Sequence, residues 1–307
     1  MGNVRVFRSP NRRHNRDYFY KYATAEVAQI ILATRKLRWS SPIQFNDPFD
    51  VTQVLRLNFD AEQLNGALIE RFAQCIESGV SLENVRHPMA PILMPFLAKA
   101  PIEKRKMVAA GLRDGANQVT SGQIEALKML QNKWAEIVPN FRILCVSESN
   151  VVVPMWAHYA DEQRGVVLEF AAVDEVDSAF LQARPVVYQD EVPSIASVDQ
   201  WVSCLLGLDG VSYMDLFHEY LYVKTLDWVY EKEWRIVSTA RPGETDTFQD
   251  YGFSPQELTG IYFGATCSEN DRESIQALLA HGFEHVRSYR VALDYAQAKI
   301  NFIDASG

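Results

Sequence analysis

The sequence predicts an α+β fold, a mixed and mainly antiparallel sheet whose chain is interrupted by a helical block. Three observations lead there. Short segments rich in β-branched and aromatic residues recur early and late: Tyr18–Tyr22, Leu37–Ser40, Ile143–Val146, Gly165–Phe170, Pro185–Tyr188, Glu233–Val237 and Gly260–Gly264. Crossover helices do not separate them at regular intervals, which argues against a doubly wound parallel sheet. Between Asp60 and about Pro139, apolar residues recur instead at helical spacing.

In chain order, residues 1–17 form a basic arm. Its first 16 residues hold Arg5, Arg8, Arg12, Arg13 and Arg16 and no acid. It reads either as an arm that touches phosphates or as a solvated tail ahead of the first strand. Thr24 caps the next helix, with Val27, Ile30 and Ile31 placed on one face. Asn46-Asp47-Pro48-Phe49-Asp50 is a turn, since Asn and Asp bond locally and proline fixes its own φ. Asp60 and Gln63 stand at capping-box spacing, and Leu64, Leu68, Phe72 and Ile76 follow every fourth residue. Helical pieces are expected over 102–113, 121–137, 196–206 and 213–226, and from Ser268 to Ala280; the tail alternates over Val286–Val291. No shift in composition marks a boundary. Residues 18–307 therefore read as a single α+β domain with a helical insertion at about 60–139.

The chain of 307 residues is 48% hydrophobic and 22% charged, which excludes collagen-like, disulfide-scaffold and disordered classes. A formal charge of −9 argues against wholesale coating of nucleic acid or anionic membrane. Cys75, Cys145, Cys204 and Cys267 are far apart, with no CxxC pair, so no metal is expected and a reducing cytoplasm fits. No stretch reaches the ~20 apolar residues of a membrane span, and the start of the chain shows no apolar signal core. Gly2 is followed at position six by Val6 rather than the Ser or Thr of a myristoylation motif. The phosphate loop, the GxGxxG turn, HExxH and GxSxG are all missing, which removes the common nucleotide-triphosphatase, Rossmann, zincin and α/β-hydrolase readings.

Four clusters stand out in order: Tyr20-Lys21-Tyr22; Phe45-Asn46-Asp47-Pro48-Phe49-Asp50; Met155-Trp156-Ala157-His158-Tyr159-Ala160, leading to Gly165; and Trp228-Val229-Tyr230-Glu231-Lys232-Glu233-Trp234-Arg235. Together they resemble the bacterial domain-of-unknown-function family 2971, from about Tyr18 to Tyr262. More remotely, the arrangement is similar to the ADP-ribosyltransferase fold, in particular its DNA-modifying toxin branch. The opening strand, the helix after Thr24 and Trp39-Ser40-Ser41 match the start of that fold. Trp156–Tyr159 match its middle motif, and Glu233 matches its catalytic glutamate. Lys21 departs from it, standing where such enzymes place His or Arg. The resemblance implies a split, mainly antiparallel sheet and NAD as bound substrate.

On the residues themselves, a strand period of two puts Glu231, Glu233 and Arg235 on one face, opposite Tyr230, Lys232, Trp234 and Ile236. Unpaired buried charge is costly, so these three either close a sheet edge as an ion pair or line a site. Cleaving a nicotinamide–ribose bond passes through an oxocarbenium-like state, which a carboxylate stabilises. Lys21 would hold a pyrophosphate as a point charge, or snorkel to water, while Tyr20 and Tyr22 give flat walls or fill the core. Trp156 and Tyr159 would stack on nicotinamide, and His158 would orient or shuttle a proton, or the three are structural. Catalytic roles are thus expected for Glu233, Glu231 and His158. Cofactor contacts are expected for Tyr20, Lys21, Tyr22, Ser40, Trp156, Tyr159 and Arg235.

The function implied is an NAD-binding ADP-ribosyltransferase-like protein that transfers ADP-ribose to a nucleic acid or protein, as a toxin or phage-defence effector. The other reading is a non-catalytic sensor of a nucleotide or phage product, or an interaction module. The sequence sets no oligomeric state.

Overall fold

In a computed structural model, the structure describes residues 7–52, 54–97, 99–115, 121–191, 194–210 and 212–305. Gly2, Arg5 and Val6 lie outside the described residues. The fold comprises two compact units: residues 1–50, 139–191 and 224–307, and residues 51–138 and 192–223.

The first unit carries the sheet. The strands of the chain are β1 Tyr18–Ala23, β2 Lys36–Ser40, β3 Phe141–Ser147, β4 Val166–Ala171, β5 Arg184–Pro185, β6 Val187–Gln189, β7 Val223–Thr225, β8 Glu233–Thr239, β9 Phe248–Gly252, β10 Leu258–Phe263, β11 Arg287–Asp294 and β12 Lys299–Asp304. The order is β12-β11-β10-β4-β1-β3-β2-β9, with β8 paired to β3 and β5, and β6-β7 a separate ribbon. β10 and β11 run parallel, joined through the helix Glu269–Leu279, whereas the other registered pairs of the large sheet are antiparallel. This is the mixed α and β, mostly antiparallel architecture expected. Pairing between β1 and β3 is confined to Tyr20 with Ser147, whereas β1 pairs with β4 along its length.

Alternation divides the sheet into two apolar faces. On one, Phe19, Leu37, Leu144, Phe170, Ile236 and Phe263 pack with Ala28, Ile31 and Leu32 of the helix Ala25–Thr34 and with Ile275 and Leu279. On the other, Tyr22, Val167 and Tyr262 pack with Met155, Trp156 and Ala160. Thr24 does cap the first helix, accepting from the Val27 N–H. The buried stripe is shifted from the expected one, because the sheet takes Ala28, Ile31 and Leu32 and leaves Val27 and Ile30 exposed.

The second unit is helical. Asp60 and Gln63 form the reciprocal capping box at the start of Ala61–Ser78. Leu64, Phe72 and Ile76 are buried, and Leu68 is half-buried. Trp134 is fully buried, its ring 5.1 Å from that of Phe217 and its indole N–H on the Thr52 carbonyl at 2.7 Å. The helix expected over 213–226 ends at Tyr220; Val223–Thr225 is strand, and Leu226–Glu231 winds as a 3₁₀ turn. The Pro185–Tyr188 segment is likewise two short strands, split at Val186.

The arm from Ser9 to Arg16 is pinned rather than free. The Ser9 N–H and Arg12 reach Asp174, the Arg13 N–H meets the Leu181 carbonyl, and Arg16 pairs with Glu148 at 2.9 Å. Among the described residues, no helix is long and apolar enough to cross a membrane.

Candidate functional site

At the corner between the 3₁₀ turn Leu226–Glu231 and β8, Lys232 takes a left-handed conformation, with φ of 47°. Such a conformation costs a non-glycine residue roughly 1–2 kcal/mol, so the surroundings must hold it. They do: the Glu148 N–H binds the Lys232 carbonyl, and the Ser147 hydroxyl donates to the Glu231 carbonyl at 2.7 Å. The turn brings Glu231 beside Glu233 although Glu231 is not on the strand. The expected grouping of Glu231, Glu233 and Arg235 exists, but strand alternation accounts only for Glu233 and Arg235, opposite Trp234 and Ile236.

Five buried charges meet at this corner. Arg235, fully buried, holds Asp50 through Nη1 at 3.0 Å and Nη2 at 2.5 Å, and Glu233 through Nε at 2.7 Å and Nη2 at 3.0 Å. The Lys224 ammonium lies 2.6 Å from Glu231, 3.3 Å from Glu233 and 3.6 Å from Asp50. It also sits 4.7 Å from the centre of the Trp228 ring. Tyr159 donates to the second Glu231 oxygen at 2.5 Å and accepts from the Asn46 amide at 3.2 Å. Within the Asn46–Asp50 turn, Asp47 accepts from the Phe49 N–H, which frees Asp50 to reach Arg235.

Three carboxyls against two cations leave one surplus negative charge. Burial and the nearby Glu233 hold Glu231 above the usual carboxylate range, against the pull of Lys224 and Tyr159. Burial raises Asp50 as well, against Arg235. Burial acts in the same sense on Glu233, but Arg235 and Lys224 outweigh it and hold its pKa below the usual range. On Lys224, Glu233, Asp50 and Glu231 overcome burial and raise the ammonium. Among the described residues, no group of three or more His, Cys, Asp or Glu side chains is arranged to hold a metal ion.

A cavity of about 340 Å³ opens on this cluster. It gathers Tyr20, Lys21, Tyr22, Ser40, Tyr159, Glu231 and Glu233 from the expected residues. Lys21 reaches the Cys145 carbonyl at 2.9 Å, beside the one registered pair of β1 and β3, Tyr20 with Ser147. Tyr22 donates to the Ser149 carbonyl, and burial raises Tyr20 to about 12. Three expected residues lie off the lining. Arg235 stands behind Glu233. Trp156 is fully buried, its N–H on the Asn150 carbonyl at 2.7 Å and its ring edge-on to Tyr22. His158 is exposed, 6.2 Å from the Tyr230 ring.

Sequence reasoning missed Lys224, Asn46 and Asp50 as members of this site. Asn46 and Asp50 carried a signal in their turn. Lys224 carried only a faint one, a lone cation in the apolar run Leu221-Tyr222-Val223 seven residues before Glu231.

No curated protein and no solved structure matches the chain. Over residues 155–236, which carry Tyr159, Lys224, Glu231, Glu233 and Arg235, the chain matches the model of the family described as Protein of unknown function (DUF2971), and the family resemblance stands on that stretch.

Proposed function

We propose that the chain is an ADP-ribosyltransferase-like protein that binds NAD, cleaves its nicotinamide–ribose bond and passes ADP-ribose to a macromolecular acceptor, as a toxin or phage-defence effector in the cytoplasm. The observation that carries this reading is the carboxyl pair on the cavity wall, whose two members have different partners: Glu231 accepts from the Tyr159 hydroxyl and the Lys224 ammonium, and Glu233 is gripped by the Arg235 guanidinium. Such different surroundings push the two carboxyls in opposite directions, Glu231 upward and Glu233 downward, and suit them to different roles. Glu233, fixed as an anion by Arg235, faces the positive charge that develops at the ribose as the C–N bond breaks and its electron pair leaves with neutral nicotinamide. Glu231 takes the proton that the acceptor group loses when it attacks the ribose.

At about 340 Å³ the cavity is near the lower end of the 300–1,000 Å³ usual for ligand sites. That suits the nicotinamide–ribose end of the dinucleotide, with Tyr20, Tyr22 and Tyr159 as walls and Lys21 and Ser40 toward the phosphates. The single registered pair that joins β1 to β3 supports the split-sheet reading. A second reading, a non-catalytic nucleotide sensor, is favoured by a different observation: Arg235 and Lys224 already occupy both Glu233 oxygens.

Incubation with NAD and assay of free nicotinamide tests the proposal. Wild type is expected to release nicotinamide, with Glu233→Gln slower by about 10²–10³-fold. Absence of release, together with a thermal shift by ADP-ribose, sinks the enzyme and leaves the sensor.

A further inference from the structure

Strands β2 and β3 line a second cavity with the residues that alternate with those of the first. Arg38, Ser40, Ile143 and Cys145 face the carboxyl cluster, whereas Leu37, Trp39 and Leu144 face a separate hollow of about 310 Å³. The hollow is half open to solvent, a cleft rather than an interior void, and its volume is near the lower end of the 300–1,000 Å³ usual for ligand sites.

Four aromatic residues stand in its walls. Trp39 and Tyr251 meet edge to face with ring centres 5.5 Å apart, beside Phe180 and Phe253, and the exposed Asp177 adds a second carboxylate at the rim. Its buried carboxyl is Glu257, 4% exposed, which accepts from the equally buried Ser178 hydroxyl and from the Ser254 N–H. No basic side chain is among the residues lining the cavity. Arg241 covers the Tyr251 ring at 4.8 Å from its own position outside the lining, so one face of that ring is already taken by a cation. Aromatic faces around a buried acid form the chemistry that recognises ammonium groups, through ring quadrupole and charge together.

We propose that this second cavity binds a small organic cation, an alkylammonium group, with Glu257 as counter-charge and Trp39 and Phe253 as walls. The site is independent of the NAD reading, since the two cavities share no lining residue.

Calorimetric titration of the full chain with choline tests it, beside 3,3-dimethylbutan-1-ol, an uncharged molecule of the same shape. Wild type is expected to bind choline saturably and at least tenfold more tightly than the alcohol. Glu257→Gln is expected to weaken choline at least tenfold and leave the alcohol unchanged. Glu257 also caps the turn at Ser254, so Phe253→Leu, on a half-buried wall, provides a second variant that keeps this cap and is expected to weaken choline severalfold. Absence of choline binding, equal affinity for the two probes, or choline affinity unchanged by a folded Glu257→Gln overturns the proposal. If Glu257→Gln does not fold, choline affinity unchanged by Phe253→Leu overturns it.

Discussion

The guanidinium of Arg235 holds Glu233 by two hydrogen bonds, at 2.7 and 3.0 Å, and turns its remaining reach to Asp50. Residues separated by 183 to 185 positions, Asp50 on a turn and Glu233 and Arg235 on β8, are thereby locked into one buried cluster. The stability of the sheet unit is tied to the same groups that face the cavity.

Removing one partner of such a cluster is expected to be expensive. Arg235→Ala leaves Asp50 and Glu233, together with Glu231, to share the single ammonium of Lys224, and breaking a buried pair in this way costs about 3–5 kcal/mol. Arg235→Lys recovers only part, because an ammonium cannot reproduce the two-pronged geometry. Urea unfolding of the three proteins at neutral pH checks the order wild type, then Lys, then Ala.

The two glutamates are expected to respond to pH with opposite signs. Glu233 is depressed in the folded state, so its contribution is present above the unfolded value of about 4.3 and fades as pH falls through the folded value. Glu231 is raised, so its contribution is full below about 4.3 and is lost as pH rises through the folded value. Glu233→Gln should therefore cost more stability at pH 7 than at pH 4, and Glu231→Gln more at pH 4 than at pH 7. Urea midpoints at the two pH values decide; parallel losses would contradict the assignment.

Asp161, Glu162 and Gln163 all take positive φ, from 48° to 70°, and the turn they make sits against Gly264. A methyl group on Gly264 would stand 2.0 Å from the Gln163 carbonyl oxygen. Gly264→Ala is thus expected to destabilise by about 1–3 kcal/mol through overpacking. Gly66→Ala, in the helix Ala61–Ser78 with nothing within 4 Å, should instead stabilise by about 0.5–1 kcal/mol. Thermal denaturation of both variants provides the comparison.

Burial raises the thiols of Cys75, Cys145, Cys204 and Cys267. Thiolate is the reactive form, so a disulfide reagent at pH 8 is expected to modify the four slowly in the native chain and rapidly after unfolding in guanidinium. Fast native labelling at Cys145 would show that its neighbourhood is open to solvent.

Local pattern made much of the fold legible. The Thr24 cap, the Asp60–Gln63 box and the alternation of Glu233, Trp234, Arg235 and Ile236 are fixed by near neighbours and were readable from them. Helix phase was harder. Val27, Ile30 and Ile31 share apolar character with Ala28 and Leu32, so the sheet rather than composition chose the buried stripe. Trp156 shows the same limit at the site, because an aromatic side chain looks alike in sequence whether it walls a cavity or fills the core behind it.

The sequence by itself determined the class of fold, the turn at Asn46–Asp50, and the acidic and basic residues crowded at Glu231–Arg235, because capping, alternation and turn chemistry act over a few residues. Only the tertiary structure decided that Lys224 and Asp50 join them, that Trp156 turns inward and that one carboxyl is held up while its neighbour is held down. Those outcomes depend on burial and on charges brought together from distant parts of the chain, and Coulomb interaction and desolvation follow distance in space, not separation along the chain.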